Sequence, residues 1–236
     1  MNALEIRIST LGGLFLLLSS LAHAQITARK IAIGSGNLCV TEGAVENGAG
    51  NRLSVDASKM RAYVNTWTSQ AIEAQFTYLG PTSEESKLGS GEIRRQFGLK
   101  LRAQNACNLV YAMWRFEPES KIVVSIKSNP GQTKSSECGN RGYQNIKAQR
   151  GSAVPILRSG DTHTLGAELD GEQLRVFVDH RAVWEGDLGA DAQDMKGPVG
   201  IRSDNVRLAF GLRAGAFAGM HPDYELACKS GPDASD

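Results

Sequence analysis

After its first two dozen residues, this 236-residue sequence has no helix-period stretch long enough to build a helical domain. Nor does any apolar run approach the roughly 20 residues that a membrane-spanning helix needs. Cysteine and histidine are scarce at four each, and no two cysteines form a Cys-x-x-Cys pair, so the chain has little with which to build a zinc site. Glycine-rich phosphate loops, nucleophile elbows and metal-ligand helices are missing too. Net charge is nearly absent: 26 Lys and Arg against 25 Asp and Glu leave +1, which argues against a general nucleic-acid binder. There is no internal repeat and no mark of a second domain.

What is present begins with an export pattern. Residues 1–24, "MNALEIRISTLGGLFLLLSSLAHA", run from a short polar start with Arg7 through an apolar stretch, Leu11 to Leu18, to Ala22-His23-Ala24. This is the order of a secretory signal with a small-x-small cleavage site. The mature chain is expected to start at Gln25, with no cysteine there for a lipid anchor, and to be secreted or periplasmic. An even number of cysteines in an exported chain favours disulfides. Of the three connectivities, Cys107 with Cys138 and Cys39 with Cys228 are preferred. The first closes a local loop around two expected strands and the second ties the chain ends together.

Period-2 alternation recurs along the rest. The apolar sets are Ile72, Ala74, Phe76, Tyr78; Phe97, Leu99, Leu101, Ala103; Val110, Ala112, Trp114, Phe116; and Ile122, Val124, Ile126. Later come Leu165, Ala167, Leu169; Leu174, Val176, Val178; and Val206, Leu208, Phe210, Leu212. Short alternating segments separated by Gly, Pro, Asn and Asp describe an all-β antiparallel β-sandwich with one face of each strand buried. The single domain is expected over 25–228, followed by a polar tail over 229–236. Two stretches do not alternate: a polar loop from Pro81 to Glu92, and a long irregular excursion from Ser128 to Pro155 that Cys138 would pin.

The stretch "HTLGAELDGEQLRVFVDHRAVWEG" contains Glu168-x-Asp170-x-Glu172. Three carboxylates at this spacing on one uninterrupted strand would project into a cleft and serve glycoside hydrolysis. Here Asp170-Gly171 interrupts the strand between two alternating apolar runs, a strong hairpin-turn signal, so the triplet is read as flanking a turn. The same stretch, followed by "GPVGIRSDNVRLAFGL", resembles the C-terminal half of concanavalin A-like lectin/glucanase domains. That superfamily includes laminin G-like modules and family 16 glycoside hydrolases. The resemblance covers about a quarter of the chain and implies a jelly-roll sandwich. Where the second turn of the pattern usually reads Asp-Gly, this chain has Asp179-His180, and histidine tolerates positive φ.

The faces opposite the apolar sets of three middle strands carry Lys100 and Arg102; Tyr111, Met113 and Arg115; and Val123, Ser125 and Lys127. If these strands adjoin, they form one sheet surface with cations around Tyr111, or simply a solvated polar face. Sandwiches of the resembled superfamily often bind saccharides on such a surface or on its rim. Aromatic rings suit apolar sugar faces, and guanidinium groups pair with carboxylates or sulfates. The long loop adds Asn129, Gln132, Asn140, Arg141, Tyr143 and Asn145. The expected binding residues are therefore Lys100, Arg102, Tyr111, Arg115, Lys127, Asn140, Arg141 and Tyr143. The function expected from them is carbohydrate binding with a preference for acidic polysaccharides, by a monomer without a cofactor, metal, nucleic-acid partner or membrane anchor. The alternatives are a polysaccharide lyase or glycoside hydrolase on the same scaffold, with Tyr111 as the lyase base, and a protein-interaction module. Trp114 is assigned to the core and His163 to structure. Trp67 and Trp184 are placed either in the core or as sugar platforms. Asp187, Asp191 and Asp194 are read as a solvated acidic turn rather than a calcium loop.

Overall fold

The computed structural model describes residues 29–65, 69–216 and 228. The expected export signal, its expected cleavage point at Gln25, Trp67 and the expected 229–236 tail lie outside the described residues. The chain is almost entirely β. Its first strands are β1 (Arg29–Ile33), β2 (Leu38–Glu42), β3 (Glu46–Asn47), β4 (Leu53–Val64) and β5 (Ala71–Pro81). The middle strands are β6 (Gln96–Asn105), β7 (Asn108–Arg115) and β8 (Lys121–Lys127). A helical turn, α1 (Ser135–Cys138), precedes the short strands β9 (Tyr143–Ile146) and β10 (Arg150–Gly151). Then come β11 (Thr162–Asp170), β12 (Gln173–Val178), β13 (Arg181–Asp187), the turn α2 (Ala190–Gln193) and β14 (Gly200–Ala216).

All pairings are antiparallel, and the order along the curled sheet is β10-β13-β12-β11-β5-β14-β6-β7-β8-β9. β1 and β4 also pair β14, and β2 and β3 pair β4. β9 and β10 sit at opposite ends of this order yet are only a few residues apart in sequence, so the sheet folds back on itself as a sandwich. The apolar sets read from the alternation, Ala103 excepted, fill the space between the layers. Phe76, Phe97, Trp114, Leu165, Val176, Leu208 and Phe210 are all fully buried. Phe76 meets Phe97 at 5.1 Å and Trp114 edge-on at 5.7 Å between ring centroids, an arrangement aromatic pairs favour. Trp114 is core as expected, and Trp184, 5% exposed, joins it.

β4 and β14 are long because each serves both layers. In β14 the core side chains are Ile201 and then Val206, Leu208 and Phe210, so the buried parity switches between 203 and 206. In β4 it switches from Leu53 and Val55 to Met60, Ala62 and Val64. A single period-2 pattern cannot describe a strand that turns its faces over, and β4 is illegible in the sequence for that reason. Asn205 marks the switch, with φ +56, and its side chain brackets the loop before β6. Its Oδ1 accepts from Ser86 N at 2.8 Å, and its Nδ2 donates to the carbonyls of Ser86 at 2.9 Å and Arg94 at 3.0 Å.

Both hairpin turns take their expected form. Asp170 pairs Gln173 and Gly171 has φ +58, with glycine at the first central position as in a II′ turn. Val178 pairs Arg181 across Asp179 and His180, at φ +49 and +63, the I′ pattern. The preferred disulfides, Cys39–Cys228 and Cys107–Cys138, are the ones formed. The Ser128–Pro155 excursion is not wholly irregular: it holds α1, β9 and β10. β9 escapes the alternation test because it is an edge strand whose positions are mostly exposed.

Replacing Asn205 by alanine should lower stability by about 2–4 kcal/mol in urea unfolding, because it removes three side-chain hydrogen bonds and leaves a Cβ-bearing residue at positive φ. Asn205→Gly should fall between the two, since it relieves only the backbone. Equal stability of all three proteins would contradict this account.

Candidate functional site

The three middle strands do adjoin. Lys100 pairs Tyr111 and Tyr111 pairs Ser125, while Gln96 pairs Arg115 and Arg115 pairs Lys121. Leu109 pairs Lys127, and Lys127 pairs Tyr143 of β9. By register these residues, with Arg202 of β14 and Arg61 of β4, share the face turned away from the core. The expected surface therefore exists, but its centre is not open to solvent. Lys100 is 3% exposed, Tyr111 1% and Lys127 1%. Leu109, Tyr111 and Met113 form a second small apolar cluster, with Ala103 packed against it. The unbroken apolar run from Leu109 to Trp114 is the sequence signal of a strand buried on both faces.

The floor of this face is an ionic network. Asp204, fully buried, accepts from Arg61 Nη2 at 2.7 Å, Gln96 Nε2 at 2.6 Å and Arg202 Nε at 2.9 Å. Arg61 also donates to the carbonyls of Met60 and Ser203. Burial alone would raise the Asp204 pKa, but the two guanidinium groups and the Gln96 amide outweigh it and hold the carboxyl at about 2, below its ordinary 3.8.

Above the floor, rings and cations alternate. The Arg202 guanidinium lies 5.1 Å from the centroid of the Tyr111 ring and hydrogen-bonds Tyr143. Tyr111 and Tyr143 stack at 6.0 Å with planes 23° apart, and Lys127 Nζ sits 5.4 Å from the Tyr143 ring. Lys127 donates to the Ala106 carbonyl at 2.8 Å. Burial, and then the neighbouring Arg202, Lys100 and Arg61, push its pKa down against an opposing pull from Tyr143. Tyr143 is the exposed end of the stack at 37%. Beside it in the chain, Asn140, Arg141, Gln144 and Asn145 are exposed as well.

Arg102 does not belong to this face. The β6–β7 register shifts after Leu101, Arg102 takes φ +49, and its guanidinium donates to the carbonyls of Ala192 and Gly171, both at 2.6 Å. It is a strut between β6, α2 and the tip of the β11–β12 hairpin, and a bulge is where the period-2 rule fails. Arg141 is exposed but folds back to donate to the Glu137 and Cys138 carbonyls. Asn129, expected on the rim, instead ties the long loop to the β6–β7 turn by donating to the Cys107 and Arg141 carbonyls, each at 3.1 Å. Asn140 lies against Gly89, so the loop before β6 and the loop after β8 meet. Arg115 stays on the face at its far end, half-buried.

The acidic triplet does not converge on a cleft. Glu168 pairs with Lys30 at 3.3 Å and Arg175 at 3.6 Å, away from this face. His163 is structural: its Nδ1 meets Asp179 at 2.7 Å and its ring packs on Trp114. Asp187 caps Gly189 N at 2.6 Å, and no group of three His, Cys, Asp or Glu among the described residues is placed to hold a metal.

No protein-family model matches the sequence, and comparison with curated proteins finds no match. Among solved structures the chain is similar to a carbohydrate-binding module, CBM66, from Bacillus subtilis. The TM-score is 0.52 at 12% identity, over 74% of this chain and 91% of that one. It is also similar to a putative glycosyl hydrolase from Parabacteroides distasonis (TM-score 0.47, 6% identity, 78% and 90% covered). A third is the Caenorhabditis elegans galectin LEC-6 (TM-score 0.40, 12% identity, 78% and 99% covered). The fold is an antiparallel β-sandwich similar to that of the Bacillus subtilis module.

The Asp204 pKa has a direct consequence for stability. Because it is lower folded than unfolded, its contribution is complete above about pH 3.8 and is lost as pH falls towards about 2. Thermal unfolding between pH 5 and pH 2 should show a loss on the order of 2 kcal/mol that Asp204→Asn abolishes. The same acid dependence in wild type and D204N would place the titrating group elsewhere.

Proposed function

We propose that this chain is an exported, monomeric carbohydrate-binding β-sandwich that takes a glycan along the Tyr143 side of its β7–β9 surface and prefers acidic polysaccharides. One observation carries the reading: the Tyr143 ring is presented to solvent while its stacking on Tyr111 fixes its orientation. A ring held in place before the ligand arrives loses little conformational entropy on binding, and its face suits the apolar side of a sugar. The exposed amides of Asn140 and Asn145 add donors and acceptors for hydroxyl groups. The printed name of the Bacillus subtilis neighbour, a carbohydrate-binding module, points the same way. The signal pattern of residues 1–24 and the two disulfides support export, and a single domain over 25–228 with a tail after it suits a small binding module.

The lyase alternative needs a proton acceptor that the substrate can reach. Tyr111 is buried beneath Arg202 and Tyr143, so its access does not favour that role.

Tyr143→Ala should weaken binding of the mature protein to a polysaccharide panel by about tenfold, whereas Tyr143→Phe should keep most of it. Arg102→Ala should instead lower the thermal midpoint, by about 1–3 kcal/mol of stability, and leave glycan affinity alone, since its partners are two backbone carbonyls. Affinity electrophoresis and thermal unfolding separate the two effects. Full binding by Y143A would refute the platform.

A further inference from the structure

Arg115 is the one cation of its cluster whose side chain makes no hydrogen bond or ion pair among the described residues. At the far end of the β7–β9 face, Arg94 pairs Glu92, Lys121 pairs Glu119 at 2.6 Å, and Arg95 holds both Glu85 at 2.7 Å and Glu117 at 2.5 Å. Every acid here thus has a cation, two of them sharing Arg95, while the Arg115 side chain makes no hydrogen bond or ion pair among the described residues, and its Nε is buried without an acceptor. A buried donor left unpaired is costly, and such groups in native proteins commonly await a ligand, ion or water.

The space around it is open to a ligand and is lined by Arg115, Lys121 and the salt-bridged carboxylates of Glu92, Glu117 and Glu119. Arg115 and Lys121 line both of two adjoining clefts, of about 330 and 610 Å³. The smaller runs towards Ile93 and Pro118. The larger opens where β8 extends past the end of β9 and is lined by Asn145, Ser152 and Trp184. Asn145 pairs Ser125, so it faces the same way as Tyr143 two residues before it. Lys121, opposite Arg115, and Lys127, opposite Tyr143, are six residues apart on β8, or about 20 Å at the rise of a strand. An extended oligosaccharide of a few residues covers that distance.

We propose that Arg115 is an anion subsite that docks the carboxylate of a uronic-acid residue in a glycan whose neighbouring sugars reach Tyr143 by way of Asn145. The Nε–H is buried, so the two terminal nitrogens are the part of the guanidinium a ligand can meet, and their N–H groups form a fork that a planar carboxylate accepts with two oxygens. This rests on the carbohydrate-binding reading and names the charge that the bound sugar carries. With Arg115 counted, the cations and acids of the cluster balance, so selectivity would come from one oriented guanidinium and not from a diffuse positive field.

The test uses 15N-labelled full-length mature protein and three probes: sodium glucuronate, sodium sulfate, and a glucuronic-acid tetrasaccharide compared with its carboxyl-reduced, neutral form. The Arg115 Nε–H resonance should shift saturably with glucuronate. Wild type should bind the charged tetrasaccharide about tenfold more tightly than the neutral one, and Arg115→Gln should bind both alike. An Nε–H resonance unmoved by glucuronate, or a charged-to-neutral preference that survives in R115Q, would overturn the subsite. If the tetrasaccharides still bind through Tyr143 in that case, the carbohydrate reading stands without it. A shift with sulfate and glucuronate alike, but no binding of either tetrasaccharide, would leave an anion site without a glycan and overturn both. R115Q is expected to fold normally, since the substitution keeps the strand backbone and the Arg115 side chain bonds to no other described residue.

Discussion

The carboxylate of Asp204 is buried at the point where β14 leaves one layer of the sandwich for the other. A strand that turns its faces over at mid-length must place some side chains where neither core nor solvent is suited to them. Asp204 and its neighbour Asn205 are those side chains. Asp204 gathers Arg61 from β4, Gln96 from β6 and Arg202 from its own strand, so one carboxylate locks three adjacent strands in register. A buried charge is tolerable only when its lone pairs are filled, and this one accepts three donors. Asn205 performs the matching task on the loop side, holding the 82–95 connection against the end of the sheet.

The candidate site is built outward from that network. Arg202 is fixed by Asp204, Tyr111 lies against Arg202, and Tyr143 stacks on Tyr111. The exposed ring is thus the last member of a chain of contacts that begins at a buried charge, and this is how a side chain on a short edge strand acquires a defined orientation. Lys127 belongs to the same arrangement from the other side, anchored to the β6–β7 turn through the Ala106 carbonyl. The Cys107–Cys138 disulfide ties that turn to the loop leading into β9. Arg115 stands apart because neither the network nor the neighbouring ion pairs absorb it.

Much of the scaffold was legible in the sequence, for identifiable reasons. Phe97 and Leu99, Val110 and Ala112, and Leu165 and Ala167 alternate because each lies on a strand with one face in the core, and Asp170-Gly171 and Asp179-His180 mark turns that need positive φ. β4 was not legible because its apolar parity inverts partway, nor was β9, an edge strand with hardly a buried position. The site was harder. Lys100, Tyr111 and Lys127 were correctly placed on one face, yet strand alternation cannot tell a solvated face from one that other parts of the fold cover. Arg102 was misplaced because a bulge breaks the period one residue earlier. Tyr143 carried no periodic signal at all; its position beside Tyr111 follows only from β9 pairing with β8.

The account places ligand contact on one side of the sandwich, along β7, β8 and β9, and leaves the hairpin surface bearing Glu168 and Arg175 uninvolved. Amide chemical-shift mapping during titration with an acidic oligosaccharide tests that placement most directly. Perturbations gathered on Tyr143, Asn145 and the Arg115–Lys121 end of the sheet are the predicted result; perturbations centred on β11 and β12, with the β7–β9 amides unmoved, would contradict it.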